Sequence, residues 1–330
     1  LLHNHPLTKV INLENIVVVY KMRNQSNRKL EPIKMKFKST IPAAFYTFCG
    51  AVMLIISNAQ AQNLFETDGD SGNIYAFSPS GEQSPFASGF VEPFEMAFNS
   101  AGDLFVANNA GNNIIKITPG GVQSIFASGL SFPEGLAFNS AGDLFVSDFL
   151  SGNIYKFTPG GTRSTFATGL SVPFGLAFNS AGDLFVANPG DQNIIEITPD
   201  GTQSIFASNL YGPLGLAFDS TGDLFVTDTS DECIYEITPG GVQSTFASGL
   251  DDPEGLAFNS AGDLFEADAD SGNIYEFTPD GTQSTFASGL AFPRGLAFQD
   301  ESLPVPEPST LGLLAVGTAA LLIRCRKPAA

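Results

Sequence analysis

Between about residue 63 and residue 300 the apolar positions fall in short runs, and small or polar residues separate them at regular intervals. In residues 135–174 the runs are 135–138, 144–148, 153–157 and 162–167, rich in Phe, Ile, Val, Tyr and Thr, with Asn-Ser-Ala-Gly, Ser-Gly and Thr-Pro-Gly-Gly between them. Runs this short, bounded by turn-forming residues and lacking helical spacing, predict β-strands joined by tight turns and no helix. In the second run Leu144 and Val146 point to one face and Phe145 to the other. Apolar groups on both faces predict a sheet packed between two neighbouring sheets.

The pattern recurs every 40 residues in six copies. Its landmark, Gly-Asp-Leu-Phe, occupies 102–105, 142–145, 182–185, 222–225 and 262–265, with a degenerate form at 62–65. A period of this length is one supersecondary unit multiplied, and the choice is between an open stack and a closed ring. The ends decide it. The first copy starts at a second strand (63–65) and the chain closes the series with a first strand (294–298), so the two halves complete one sheet and leave no open edge. The expected fold is all-β: a six-bladed β-propeller over 62–300, closed by N- and C-terminal strands sharing one blade.

The pattern Pro-x-Gly-Leu-Ala-Phe-x-x-x-Gly-Asp-Leu-Phe-Val-x-Asp, followed by Ile-Tyr-x-Phe-x-Pro-x-Gly, resembles the NHL repeat and the strands of the SMP-30/gluconolactonase group. The resemblance spans about residues 62–300. It implies a fold strongly and an activity weakly, because such propellers serve as enzymes, protein binders and RNA binders.

Outside the repeats, 35–38 (Met-Lys-Phe-Lys), an apolar stretch at 41–56 and Ala59-Gln60-Ala61 follow the order of a secretory signal, with cleavage expected after Ala61. Residues 35–61 are thus read as a signal peptide with a helical core, an uncleaved anchor being the alternative, and residues 1–34 as an upstream, disordered segment. At the other end Val305, Pro306, Glu307 and Pro308 precede an apolar run at 311–323 and a basic cluster at 324–327. Residues 301–330 resemble the PEP-CTERM sorting signal. That resemblance implies recognition by an exosortase in the inner membrane of a Gram-negative bacterium, transient association there through a short hydrophobic helix, and delivery to the cell surface or extracellular matrix.

Charge narrows the partners. Residues 62–300 contain four basic side chains (Lys116, Lys156, Arg163 and Arg294) and thirty acidic ones, a net charge of −26. Such a surface argues against nucleic acid and anionic membranes. The only cysteine of this region is Cys233, so it forms no internal disulfide and is expected to be monomeric, held by strand pairing and apolar burial.

Candidate chemistry lies where the copies diverge. Loops before a first strand and after a second emerge on one face of a propeller, so two rings of positions are expected at the channel mouth. One is the x of Pro-x-Gly-Leu: Phe94, Glu134, Phe174, Leu214, Glu254 and Arg294. The other ends the second strand: Asp68, Asn108, Asp148, Asn188, Asp228 and Asp268. Glu134 and Asp148 belong to one copy, and Glu254 and Asp268 to the copy directly across the ring. Facing carboxylates suit a hard cation such as Ca²⁺, giving Glu134, Asp148, Asp228, Glu254 and Asp268 as a candidate metal set. The SMP-30 resemblance implies a metal held by a Glu, an Asn in a Pro-Asn-Gly step and an Asp ending a Val-x-Asp strand. Asp148 and Asp228 match the last of these, whereas no Pro-Asn-Gly occurs. The alternative for each Asp is capping of a turn through backbone amides. The sequences at 68–73 and 268–273 resemble the start of a Ca²⁺ loop, but Pro79 and Pro279 stand where a bidentate Glu is required.

Both histidines, His3 and His5, precede the repeats. Catalysis in the propeller therefore has no imidazole and rests on carboxylates with a metal. Two functional readings follow. One is an exported, non-catalytic binding module, requiring no cofactor and taking a surface, exopolysaccharide or protein ligand. The other is a metal-dependent lactonase-type hydrolase.

Overall fold

A computed structural model describes residues 62–299. The expected leader, with its cleavage residues Ala59 and Ala61, and the expected sorting tail, with Val305 to Pro308 and its short helix, lie outside the described residues.

Six four-stranded antiparallel sheets make up the described chain. The first blade pairs Pro293–Phe298 with Leu64–Asp68, Asn73–Phe77 and Gln83–Ser88, so the last strand of the chain is the first of the first blade. The third blade, Pro133–Phe138, Leu144–Asp148, Asn153–Phe157 and Arg163–Ala167, reproduces the strands read from the 135–174 repeat. In the fourth blade the first strand is only Leu176–Phe178, and a single 3₁₀ turn at Pro189–Asp191 replaces the hairpin used elsewhere. First strands touch first strands all the way round, including the sixth blade on the first and the first on the second, which makes the ring closed and sets these strands around the axis.

The alternation of Leu144, Phe145 and Val146 resolves as expected. Leu144 and Val146 pack against the second blade, while Phe145 packs against the fourth. Six apolar clusters result, one at each blade boundary. Each holds a landmark Phe that meets two other rings edge-on: one from its own outer, fourth strand and one from the next blade's first strand. These are Phe65, Phe105, Phe145, Phe185, Phe225 and Phe265, with centroid separations of 4.8–5.1 Å. Such pairs contribute ~0.5–1.5 kcal/mol each beyond area burial. Cys233, the single cysteine among the described residues, is buried and free.

In every blade but the fourth, the ladder between first and second strands skips at one place. In the third, Pro133 pairs with Asp148 and Leu136 with Val146, so Glu134 and Gly135 together oppose Ser147. The same shift occurs in the first, second, fifth and sixth blades. A bulge inserts a residue and re-aims its side chain. Here it presents the x residue at the mouth. The fourth blade keeps the equivalent geometry through Phe174 N–H donating to the Ala187 carbonyl and Ala187 N–H to that of Gly175.

Candidate site at the channel mouth

The bulges bring the first expected ring together. Phe94, Glu134, Phe174, Leu214 and Glu254 line one notch at the axis, with the Phe94 and Phe174 rings 6.1 Å apart. The floor is glycine. A Cβ at Gly135, Gly175, Gly215 or Gly255 would lie 2.2–2.3 Å from the carbonyl oxygen of the following blade's x residue, a separation no side chain tolerates. Alternate blades pin these strands with a hydroxyl. Ser147 Oγ accepts from Gly135 N–H at 2.7 Å and donates to the Phe174 carbonyl at 2.6 Å. Thr67 bridges Gly295 and Phe94 in the same way, and Thr227 bridges Gly215 and Glu254.

One blade breaks the glycine rule. In the second, Pro93-Phe94-Glu95-Met96 replaces Pro-x-Gly-Leu, and Glu95 lines the notch where the other copies carry glycine. The break in the repeat is visible in the sequence, but its meaning depends on the bulge, which turns this position to the axis. Three carboxyls therefore face one another, Glu95, Glu134 and Glu254. Burial first and Glu254 second push Glu95 up to about 8, and burial raises Glu254 to about 8 against the opposing pull of Arg294. Burial, with help from Glu254, also raises Glu134 well above the usual carboxylate range. Its Oε1 accepts from Asn109 Nδ2 at 2.7 Å, a contact across the blade boundary that the sequence did not signal.

Arg294 answers the carboxyl of the neighbouring blade. It shares a blade with Asp68, yet its guanidinium stacks 3.9 Å from the Phe94 centroid and its Nε lies 4.0 Å from Glu254 Oε1. Asp68 is occupied by the backbone N–H groups of Ser71 and Ala291 at 2.8 and 2.9 Å.

The second expected ring does not open into the mouth. Asp148 accepts from Ser131 and Ser151 N–H, and Asp268 accepts from Asp251 N–H at 2.8 Å. Asp228 accepts from four backbone amides, of Tyr211, Gly212, Ser230 and Asp231. Each of these carboxylates clamps the loop before its blade's first strand to the end of its second. The five residues of the candidate metal set thus divide, with Glu134 and Glu254 at the notch and the three Asp side chains in loop clamps. Among the described residues no three His, Cys, Asp or Glu side chains are grouped to hold a metal ion. The turns at 68–73 and 268–273 are tight hairpin connections, the first closed by Gly72 N–H on the Asp68 carbonyl.

Two further carboxyls, absent from the sequence reading, are sealed inside blade boundaries. Glu66 and Glu266 are fully buried and none of their oxygens has a partner. They occupy the position held by Val106, Val146, Val186 and Val226 in the other blades. Burial raises both well above the usual range, reinforced by Asp68 and Asp268 respectively. A larger hollow, of about 340 Å³, lies on the opposite face between the fourth and fifth blades. Its rim is built largely from turn residues that every repeat carries, so it holds little chemistry of its own.

Comparison with known proteins matches two parts of the chain. Residues 304–327 match the model of the PEP-CTERM protein-sorting motif. The motif signals export sorted by an exosortase, as in Gram-negative bacteria. The fold is similar to a chain of the nidogen/laminin complex (19% identity, 73% of this chain and 100% of that one, TM-score 0.67). It is also similar to virginiamycin B lyase from Staphylococcus aureus (18% identity, 72% and 85%, TM-score 0.59) and to a gluconolactonase from Xanthomonas campestris (16% identity, 62% and 78%, TM-score 0.56). At these identities the likeness is one of fold. No curated protein matches the sequence.

Proposed function

We propose that the protein is a non-catalytic binding module, working at the cell surface or in the extracellular matrix and presenting the channel mouth to its ligand. The observation that carries this reading is the fate of the Asp side chains. Metal-assisted hydrolysis needs several carboxylates free to hold a cation, whereas Asp148, Asp228 and one oxygen of Asp268 are engaged by loop amides, and the three glutamates left in the partly apolar notch are not grouped to hold a metal ion. The donor set thus fits Ca²⁺ poorly. The propeller also has no histidine, and a virginiamycin B lyase of similar fold is described as catalytically inactive when one histidine is replaced by alanine.

The second reading, a metal-dependent lactonase, is supported by the gluconolactonase likeness and by the opposition of Glu134 and Glu254. Lactone turnover separates the two, and export tests the location that the binding reading requires. Under the binding reading, the purified chain leaves aldonolactones unhydrolysed in Ca²⁺ or Zn²⁺, and removal of residues 304–327 keeps the protein from reaching the cell exterior. Lactone turnover abolished by Glu134→Gln overturns it.

A further inference from the structure

At the mouth, one carboxyl is built as a receptor with half its capacity unused. Glu134 is 5% exposed, its Oε1 is held by Asn109, and its Oε2 faces the notch with no partner among the described residues. Glu95 and Glu254 line the same notch, and the single cation there, Arg294, acts on Glu254 and Glu134 but leaves Glu95 unanswered. The remaining walls are apolar, Phe94, Phe174 and Leu214, with glycine between them. The free space at the axis is about 10 Å³, room for one water-sized group.

The chain answers this combination of carboxylate and ring elsewhere with an ammonium. Lys116 Nζ lies 2.7 Å from Asp103 Oδ2 and 5.7 Å from the Phe105 centroid, and Lys156 repeats the arrangement on Asp143 and Phe145. An ammonium carries a compact positive charge with three donors on a slender apolar stem. A guanidinium is too broad for the space. A hard divalent cation needs six to eight oxygens, yet the nearby carbonyls of Phe94, Phe174 and Glu254 already accept hydroxyl hydrogen bonds.

We infer that the mouth recognises a primary alkylammonium group, its head taken by Glu134 Oε2 in the negative field of Glu95 and Glu254 and its methylene stem lying against Phe174 and Leu214. The assignment rests on the reading of the mouth as a binding site and names its ligand class. A lysine side chain on a polypeptide and a free amine both carry this group. Bringing a cation among these carboxyls favours their ionised forms, so binding expels protons and tightens as pH rises. The charged groups facing the cluster are Arg294, Asp252, Asp270 and the buried Glu266.

The test is titration calorimetry of the full chain, in a non-ionic detergent, with n-butylamine and with an acetylated, amidated Gly-Lys-Gly peptide. We expect saturable one-site binding that tightens about tenfold between about pH 6.5 and about pH 8.5, with heats that depend on the buffer's ionisation enthalpy. Peptide binding tighter than amine binding identifies a polypeptide source, and equal binding a free amine. Glu134→Gln weakens binding about tenfold, while Asp103→Asn on the opposite face leaves it unchanged. Leu214→Glu, which adds a carboxylate at an equivalent bulge, tightens it; a merely structural role for the ring predicts no gain, and this variant decides the matter if Glu134→Gln fails to fold. Absence of saturable heat, equal binding of n-butanol, or binding of CaCl₂ that the amine does not displace overturns the assignment. Such a failure leaves the export and lactone measurements above untouched.

Discussion

Phe265 meets Phe298 edge-on, with centroids 5.0 Å apart and ring planes at 76°, and so joins the sixth blade to the last strand of the chain. The geometry is that of Phe105 on Phe138, at 5.1 Å and 76°, in the unbroken middle of the chain. The seam is therefore packed like any other boundary.

Equal packing predicts equal cost. Phe298→Ala and Phe138→Ala should each destabilise the protein by ~2–3 kcal/mol, below the usual ~3–5 kcal/mol for a fully buried aromatic, because both rings are only partly buried. Denaturant unfolding of the two variants checks this. A Phe298→Ala loss under half that of Phe138→Ala would mean that the seam contributes little.

Glu66→Val and Glu266→Val install the residue that four blades already use. Each removes a sealed, unpartnered carboxyl and should stabilise the protein by ~1–3 kcal/mol near neutral pH, read as a higher denaturation midpoint at unchanged slope.

The pH dependence has a definite sign. Glu66, Glu95, Glu134, Glu254 and Glu266 all have raised folded-state values, so the folded protein holds more protons than the unfolded chain above about pH 4.5. Their contribution is fully present below that point and is lost as pH climbs towards about 8, where Glu95 and Glu254 ionise. Thermal unfolding between about pH 5 and about pH 8.5 should show Tm falling, more shallowly in Glu266→Val. A Tm that rises across this range contradicts the assignment.

Asp228 holds four backbone amides. Asp228→Ala should cost ~2–4 kcal/mol, because the amides lose a charged acceptor while buried. Chelator should change the stability of neither wild type nor variant. A drop in wild-type Tm on adding EDTA would return Asp228 to the metal set.

The ring was legible because a 40-residue period and a half-blade at each end admit few closed solutions, and because Leu144, Phe145 and Val146 declare both faces apolar. The x positions were legible as a convergent ring for the same reason. The direction of the Asp carboxylates was not. Asp148 binds an amide seventeen positions earlier in the chain, and that separation carries no local pattern. Glu95 was missed, although the break in Pro-x-Gly-Leu is visible in the sequence, because its value depends on a bulge that composition does not encode. Glu66 and Glu266 escaped notice because a strand ending in Asp hides one more acid beside it.

The hydrogen bond from Gln299 N–H to the Asn63 carbonyl ties the two ends of the described chain together at the turn side, whereas Pro293 and Asp68 pair at the opposite rim, beside the notch. Any tether attached beyond residue 299 therefore holds the disc from underneath. The notch and the point where the described chain ends thus occupy opposite rims and leave each other unobstructed.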